Sequence, residues 1–247
     1  MLDLIRNRLR QGMRTLSYPK EPAPALPERF RGRPSRDPSR CVGDCPACAG
    51  RTPPALDLGA CLFSPEEAAA CAQGAVGYTR DHRMAVTSRD ALVTSTGEVA
   101  LARALDERGR RLFGRSLRLR SVVAGSCGGC EAELVALGNV VFDLARFGVQ
   151  FVASPRHADG LVITGAVNVN MRLALQKTYD AVPAPKLVLA VGACAASGGP
   201  FRGSPEVAGG VPPEIPVDLW VPGCPPHPLT ILDGVLRLLG TIENGAR

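Results

Sequence analysis

The chain has 247 residues, 45% of them hydrophobic and 4% aromatic, with nine cysteines and a formal net charge of +6. That is enough apolar material for one domain with a real core plus a small appendage. No cluster of lysine and arginine carries the interleaved aromatics that stack bases, so nucleic acid is not an expected partner. The opening MLDLIRNRLRQGMR has neither the unbroken apolar segment of a secretory signal nor a twin-arginine pattern, and nowhere does an apolar run reach the ~18–20 residues of a membrane span. Nine cysteines in that setting point to metal ligation in a reducing, cytoplasmic compartment rather than to disulfides.

Leu2, Ile5, Leu9, Met13 and Leu16 recur at helical spacing, with Arg6, Arg8, Arg10 and Arg14 on the remaining surface. Such a helix fits an anionic membrane surface or a partner subunit equally well. A proline-rich, extended stretch follows from Pro19 to Pro38, so that residues 1–38 form a first segment. Residues 39–90 make a cysteine-bearing module with few apolar runs, and 91–116 read as a linker with a charged helix over Val99–Leu112.

From 117 to the end the texture changes to alternating strands and helices. Strand Leu117–Ala124 leads through Gly125-Ser126 into a helix expected over Glu131–Phe147, with Leu134, Leu137, Val141 and Leu144 as its apolar stripe. Strands follow at Val149–Ala153 and Leu161–Thr164, then a helix at Val169–Ala181 and a strand at Leu187–Val191. A loop rich in small residues, 192–199, and a Gly/Pro-rich excursion, 203–216, precede strand Val217–Val221. The last helix opens at Pro228 and should bury Leu229, Leu232, Leu236 and Leu239. Repeated strand–helix alternation predicts an α/β domain, a parallel sheet with helices on both faces.

Four cysteines fall immediately after these strands: Cys127 and Cys130, then Cys194, then Cys224-Pro225. Parallel sheets offer their ligand sites at the carboxyl ends of strands, so three loops would bring four thiolates to one edge as a soft-metal site. Cys-Pro is also a common ending of an iron–sulfur ligand set. Zinc suits four thiolates as well, but zinc ribbons come as two close pairs and only one pair here is close. Gly125, Gly128, Gly129, Gly192, Gly198, Gly199 and Gly223 would let backbone N–H groups approach bound sulfur, in addition to making turns. Glu131 and Glu133, just after the first pair, fit either a proton relay or the plain preference of a helix N-terminus for carboxylates.

The segments GSCGGCEAEL, FDLARFGVQFVASPRHADGLVITG, KLVLAVGACAASGG and PVDLWVPGCPPHP resemble, over about residues 117–240, the small subunits of [NiFe] hydrogenases and the homologous 20 kDa subunit of respiratory complex I. The resemblance implies a flavodoxin-like fold and one [4Fe–4S] cluster on Cys127, Cys130, Cys194 and Cys224. It also implies an electron relay to a [NiFe]-type large subunit, within an oxidoreductase complex that includes ferredoxin-like and membrane subunits. The complex I branch carries two adjacent cysteines where this chain has Cys127-x2-Cys130. Arg156-His157-Ala158-Asp159 also looks more like the energy-converting membrane hydrogenases, in a complex peripheral to the inner face of the membrane. A quinone-reducing or nickel-free complex is the alternative reading, and a zinc-binding assembly factor a more distant one. Arg156 and His157 are expected either to line the cluster or to anchor their loop through Asp159.

The sequence around Cys41, Cys45, Cys48, Cys61 and Cys71 resembles a ferredoxin-like subunit of the same complexes in degenerate form. Two-cluster ferredoxins carry C-x2-C-x2-C-x3-C-P twice, the fourth cysteine of each run serving the other cluster. Here a residue is inserted between Cys41 and Cys45, Thr52 stands at the fourth position, and Ser64 and Glu67 replace the middle cysteines of the second run. The crossing rule leaves Cys41, Cys45, Cys48 and Cys71 as a complete set for a second [4Fe–4S] cluster, with zinc or a purely structural module as the other options. Cys61 is left over.

Overall fold

The computed structural model describes residues 2–41 and 55–242. In chain order, helix α1 (Leu2–Gln11) is followed by strand β1 (Pro34–Arg36), β2 (Leu56–Asp57), α2 (Pro65–Ala69), β3 (Val76–Tyr78), β4 (Val93–Thr94) and α3 (Glu107–Phe113). The second half runs β5 (Leu117–Val123), α4 (Gly129–Ala136), β6 (Val149–Phe151), β7 (Gly160–Thr164), α5 (Val169–Ala181), β8 (Leu187–Val191), α6 (Ala193–Ser197), β9 (Leu219–Val221) and α7 (Pro228–Leu238).

Strands β5 to β9 form one parallel sheet in the order β6-β5-β7-β8-β9. Counted from β5 this is the flavodoxin-like order, whose switch point lies between β5 and β7. The alternation of each strand sorts its side chains by face. Leu117, Leu119, Val162, Leu189 and Val221 join the core under α4 and α7. Val122, Leu161, Ile163 and Val188 join a second core with Leu175 of α5. The two layers of helices cover a sheet whose strands β7 and β8 are buried throughout, as near-continuous apolar runs of a parallel sheet require.

The first half of the chain is built into this domain. Every residue of α7 is buried, well beyond the expected stripe. One side of α7 meets the sheet; the other meets Tyr18, Ala85, Ala102 and Leu105 in the same core. Contact there is close enough that a Cβ on Gly234 would lie 2.5 Å from that of Ala85. Val86 pairs with Trp220 of β9 as an isolated antiparallel bridge, so the segment also closes the sheet's edge. Two small antiparallel pairs complete the upstream part: β1 with β3 and β2 with β4. The proline-rich stretch thus supplies a strand to the cysteine module, and the stretch read as a linker supplies β4.

Two helices are shorter than their periodicity predicts. The helix after Cys130 stops at Ala136 because Gly138-Asn139 follows, and the Asn139 side chain accepts from the Val141 and Phe142 N–H groups, a local turn that competes with the helix. Leu144–Phe147 is then a separate 3-10 turn. In the region of Val99–Leu112 the helix begins only at Glu107, where Asp106 accepts from the Gly109 N–H at 2.7 Å. Among the described residues no helix is long and apolar enough to cross a membrane.

Candidate metal centre

β5 ends at Val123, and the turn that follows carries Cys127 before α4 opens, with Cys130 in its first turn. β8 leads through Gly192 into α6, whose second residue is Cys194; β9 leads through Pro222-Gly223 to Cys224. The last two loops are stitched together, Gly192 N–H to Val221 C=O and Ala193 N–H to Gly223 C=O, both at 2.8 Å. All four cysteines therefore lie at the carboxyl edge of the sheet, beside the switch strand.

Contacts around the thiols are tight. A Cβ on Gly192 (φ +93°) would sit 2.5 Å from the Cys130 Sγ, and one on Gly199 2.7 Å from the Cys194 Sγ. Only glycine leaves room for the sulfurs here. Cys130 and Cys194 are buried, Cys224 is half-buried and Cys127 is exposed, so the set has an inner wall and one open corner.

The four thiols feel one another. Burial first, then the Glu131 carboxylate and the other three cysteines, push the Cys130 thiol up to about 12. Burial, then Cys224, Cys127 and Glu131, push Cys194 up to about 11. Burial, then Cys127 and Glu67, push Cys224 up. Each of these effects favours the neutral thiol, and a positive centre among the four would reverse that preference. Among the described residues no group of three or more His, Cys, Asp or Glu converges closely enough to hold a single ion.

Glu131 accepts from the buried Thr164 hydroxyl through one oxygen, while its other carboxylate oxygen is buried without a partner. It thus points into the structure beside the thiols rather than serving only as a helix-start carboxylate. Burial raises Glu133 above the usual carboxylate range.

Arg156 and His157 are placed elsewhere. They form an exposed 3-10 turn that enters β7 at its amino end, where Gly160 pairs with Leu119 and Leu187. The cysteines follow the carboxyl ends, so these two residues occupy the opposite edge of the sheet and do not line the thiols. The loop is instead anchored by Asp159, which accepts from the Arg118 N–H at 2.8 Å. The sequence had no local sign of this, since the loop follows one short strand and precedes another.

In the upstream module Cys41 packs against buried Cys71 and Ala75, and the Cys71 Sγ accepts from the Ala75 N–H at 3.3 Å. Cys45, Cys48 and Thr52 lie outside the described residues. Cys61, Ser64 and Glu67 come together as a hydrogen-bonded knot. The Glu67 carboxylate accepts from the Leu62 N–H at 2.9 Å, the Ser64 N–H at 3.2 Å, the Cys61 thiol at 3.2 Å and the Tyr78 hydroxyl at 3.0 Å. Ser64 and Glu67 also form a capping box for α2. Tyr78 was not legible as part of this set, because it arrives from β3.

Arg89 is another residue without a sequence signal. It donates to the Ala196 C=O at 2.8 Å and to Asp57 at 2.9 Å, tying the last turn of α6, and with it Cys194, to the upstream module.

Residues 127–238 match the family model for the NADH ubiquinone oxidoreductase 20 kDa subunit. An NADH-quinone oxidoreductase subunit of Heliobacterium modesticaldum is 47% identical over 119 residues, 48% of this chain and 68% of that protein. A probable membrane-bound hydrogenase subunit of Pyrococcus furiosus is 43% identical over 129 residues, 52% of this chain and 77% of that protein. Formate hydrogenlyase subunit 7 of Escherichia coli is 43% identical over 130 residues, 53% of this chain and 51% of that protein. Among solved structures, a chain of an archaeal membrane-bound sulfane sulfur reductase aligns over 57% of this chain and 78% of its own, with 34% identity and a TM-score of 0.48.

Proposed function

We propose, from the premise that this chain belongs to the family of the 20 kDa subunit of NADH ubiquinone oxidoreductase, that it is the iron–sulfur relay subunit of a complex I-related, membrane-associated [NiFe] hydrogenase. One observation carries the reading: three loops deliver Cys127, Cys130, Cys194 and Cys224 to one sheet edge, with three of them at least half-buried and Cys127 exposed. These residues would hold a [4Fe–4S] cluster, which supplies reversible one-electron storage when bound.

The chain's own residues then have distinct parts. Gly192 and Gly199 leave room for the inner sulfurs, and α6 is held by Arg89 from outside. The Glu131 carboxylate beside Cys130 opposes adding an electron nearby. The open corner at Cys127 is where a large subunit would approach, since electron transfer needs a partner's redox centre close to the relay. Cys41 and Cys71, which pack together, would with Cys45 and Cys48 hold a second cluster. The knot of Cys61, Ser64 and Glu67 satisfies its own polar groups without metal, which supports one cluster rather than two in that module.

The Cys127-x2-Cys130 spacing and the likeness to the Pyrococcus furiosus hydrogenase subunit favour a nickel-containing partner. The 47% identity to the Heliobacterium modesticaldum protein supports the second reading, a quinone-reducing complex without nickel. Anaerobic purification of the tagged chain with its partners, followed by nickel, iron, zinc and acid-labile sulfide analysis, separates them. Nickel with iron and sulfide is the expected result. Iron and sulfide without nickel would move the assignment to the quinone type, and zinc alone would overturn the relay.

A further inference from the structure

Helix α1 has no buried residue. Leu2, Ile5, Leu9 and, just beyond it, Met13 are 83%, 53%, 79% and 75% exposed, although their spacing puts them on one side of the helix; Leu4, on the other side, is 76% exposed. Arg6, Arg8, Arg10 and Arg14 surround this stripe, against a single acidic residue, Asp3. A soluble domain gains nothing from holding such a helix in water.

The helix leaves the body at a fixed place. Immediately after it, Thr15 donates to the Val140 C=O at 2.8 Å and the Leu16 N–H to the Val141 C=O at 2.9 Å. Val140 and Val141 are themselves exposed, as is Val135 at the end of α4. Apolar surface therefore continues from the helix onto the turn that anchors it.

We infer that α1, with the Val140–Val141 turn, is a lipid-contacting foot that sets this chain on an anionic membrane surface. Two features select lipid over a protein groove. Three or four apolar side chains on a helix of this length cover far less than the ~800 Å² per partner of a specific interface. Four arginines spread around that stripe gain from any anionic headgroup layer without needing matched acidic residues on a partner. The adhesion is weak and reversible, and it adds to whatever the rest of a complex contributes. It stands apart from the redox reading, since it rests on the helix and not on the cysteines.

The test is flotation of the full-length chain with vesicles of phosphatidylcholine alone and of phosphatidylcholine containing phosphatidylglycerol. The chain is expected to float with the anionic vesicles, to stay behind with the neutral ones, and to be released by high salt. Replacing Arg6, Arg8 and Arg10 by glutamine should weaken anionic binding by about two orders of magnitude, at about fivefold per charge. Ile5→Glu with Leu9→Glu should abolish it. Because no residue of α1 is buried, both variants should keep the iron content and thermal unfolding of the parent. Absence of binding to anionic vesicles, or binding that the two variants leave unchanged, would overturn the inference. So would a pair of variants that lose co-purification of protein partners while the parent shows no lipid dependence.

Discussion

Replacing Gly192 by alanine would put a methyl group 2.5 Å from the Cys130 Sγ. Carbon–carbon contacts settle at about 3.5–4.0 Å, and sulfur is larger than carbon, so the sulfur or the loop must retreat by roughly 1 Å. Metal–ligand distances tolerate only about 0.2 Å. The backbone at Gly192, with φ +93° and ψ 160°, lies in a region that is essentially glycine-only and costs other residues about 1–3 kcal/mol. That is a fraction of the ~5–15 kcal/mol that stabilises a domain, so the fold should survive while the site does not. Gly128 is the matched control. It too has positive φ, +87°, but a Cβ there meets nothing within 4 Å, and the left-handed conformation costs about 1–2 kcal/mol. Iron and acid-labile sulfide per chain, with the electron paramagnetic resonance of the reduced protein and a thermal melt, read both variants. Gly192→Ala should lose one cluster's share of iron and sulfide; Gly128→Ala should retain it with a lowered melting temperature. Full iron and an unchanged spectrum in Gly192→Ala, or equal loss in Gly128→Ala, would refute the steric argument.

Cys61→Ser should keep all the iron of the parent, since the Cys61 thiol donates to Glu67; losing about half would make Cys61 a ligand. Burial, and then the Glu67 carboxylate, push the Cys61 thiol from 9.0 up to about 12. A folded-state value above the unfolded one means the thiol's contribution is complete below about pH 9 and is lost as pH rises toward 12. Urea midpoints across that range should therefore fall in the parent and fall less in Cys61→Ala, with the other groups pushed up by burial, among them Tyr78, Tyr18, Cys130 and Cys194, supplying the remaining slope; parallel curves would sink the assignment. Arg237 is 3% exposed and pairs at 2.8 Å with Asp233, which is 0% exposed and also accepts from the Tyr18 hydroxyl. Arg237→Met strands that carboxylate and should cost about 3–5 kcal/mol by chemical denaturation; an unchanged midpoint would show that the pair is not needed to hold α7.

Strands β7 and β8 and helix α5 were readable because their patterns are local: continuous apolar runs for strands buried on both faces, and a helical period over Val169–Ala181. The placement of the four cysteines at one edge of the sheet was readable for a related reason. A parallel sheet brings its carboxyl-end loops to one edge whatever the spacing between them, so position after a strand was enough. Local chemistry also explains where the periodicity overshot, at Gly138-Asn139, where a side-chain turn ends α4 early.

What only the tertiary structure decided lies in contacts between residues far apart in the chain, which leave no periodic mark. Nothing in the sequence of α7 says that Tyr18, Ala85 and Ala102 will cover its outer side, or that Gly234 is small to admit Ala85. Pro34–Arg36 reads as extended proline-rich chain and becomes a strand because Val76–Tyr78 lies beside it. Arg156 and His157 follow one strand and precede another, and the pairing of Gly160 with Leu119 alone assigns them to the edge away from the thiols. Cys61 was a remainder after the other cysteines were assigned; Tyr78, arriving from β3, makes it part of a closed polar knot. Sequence periodicity records which face an element buries, whereas the identity of the neighbour that buries it depends on the whole chain's path.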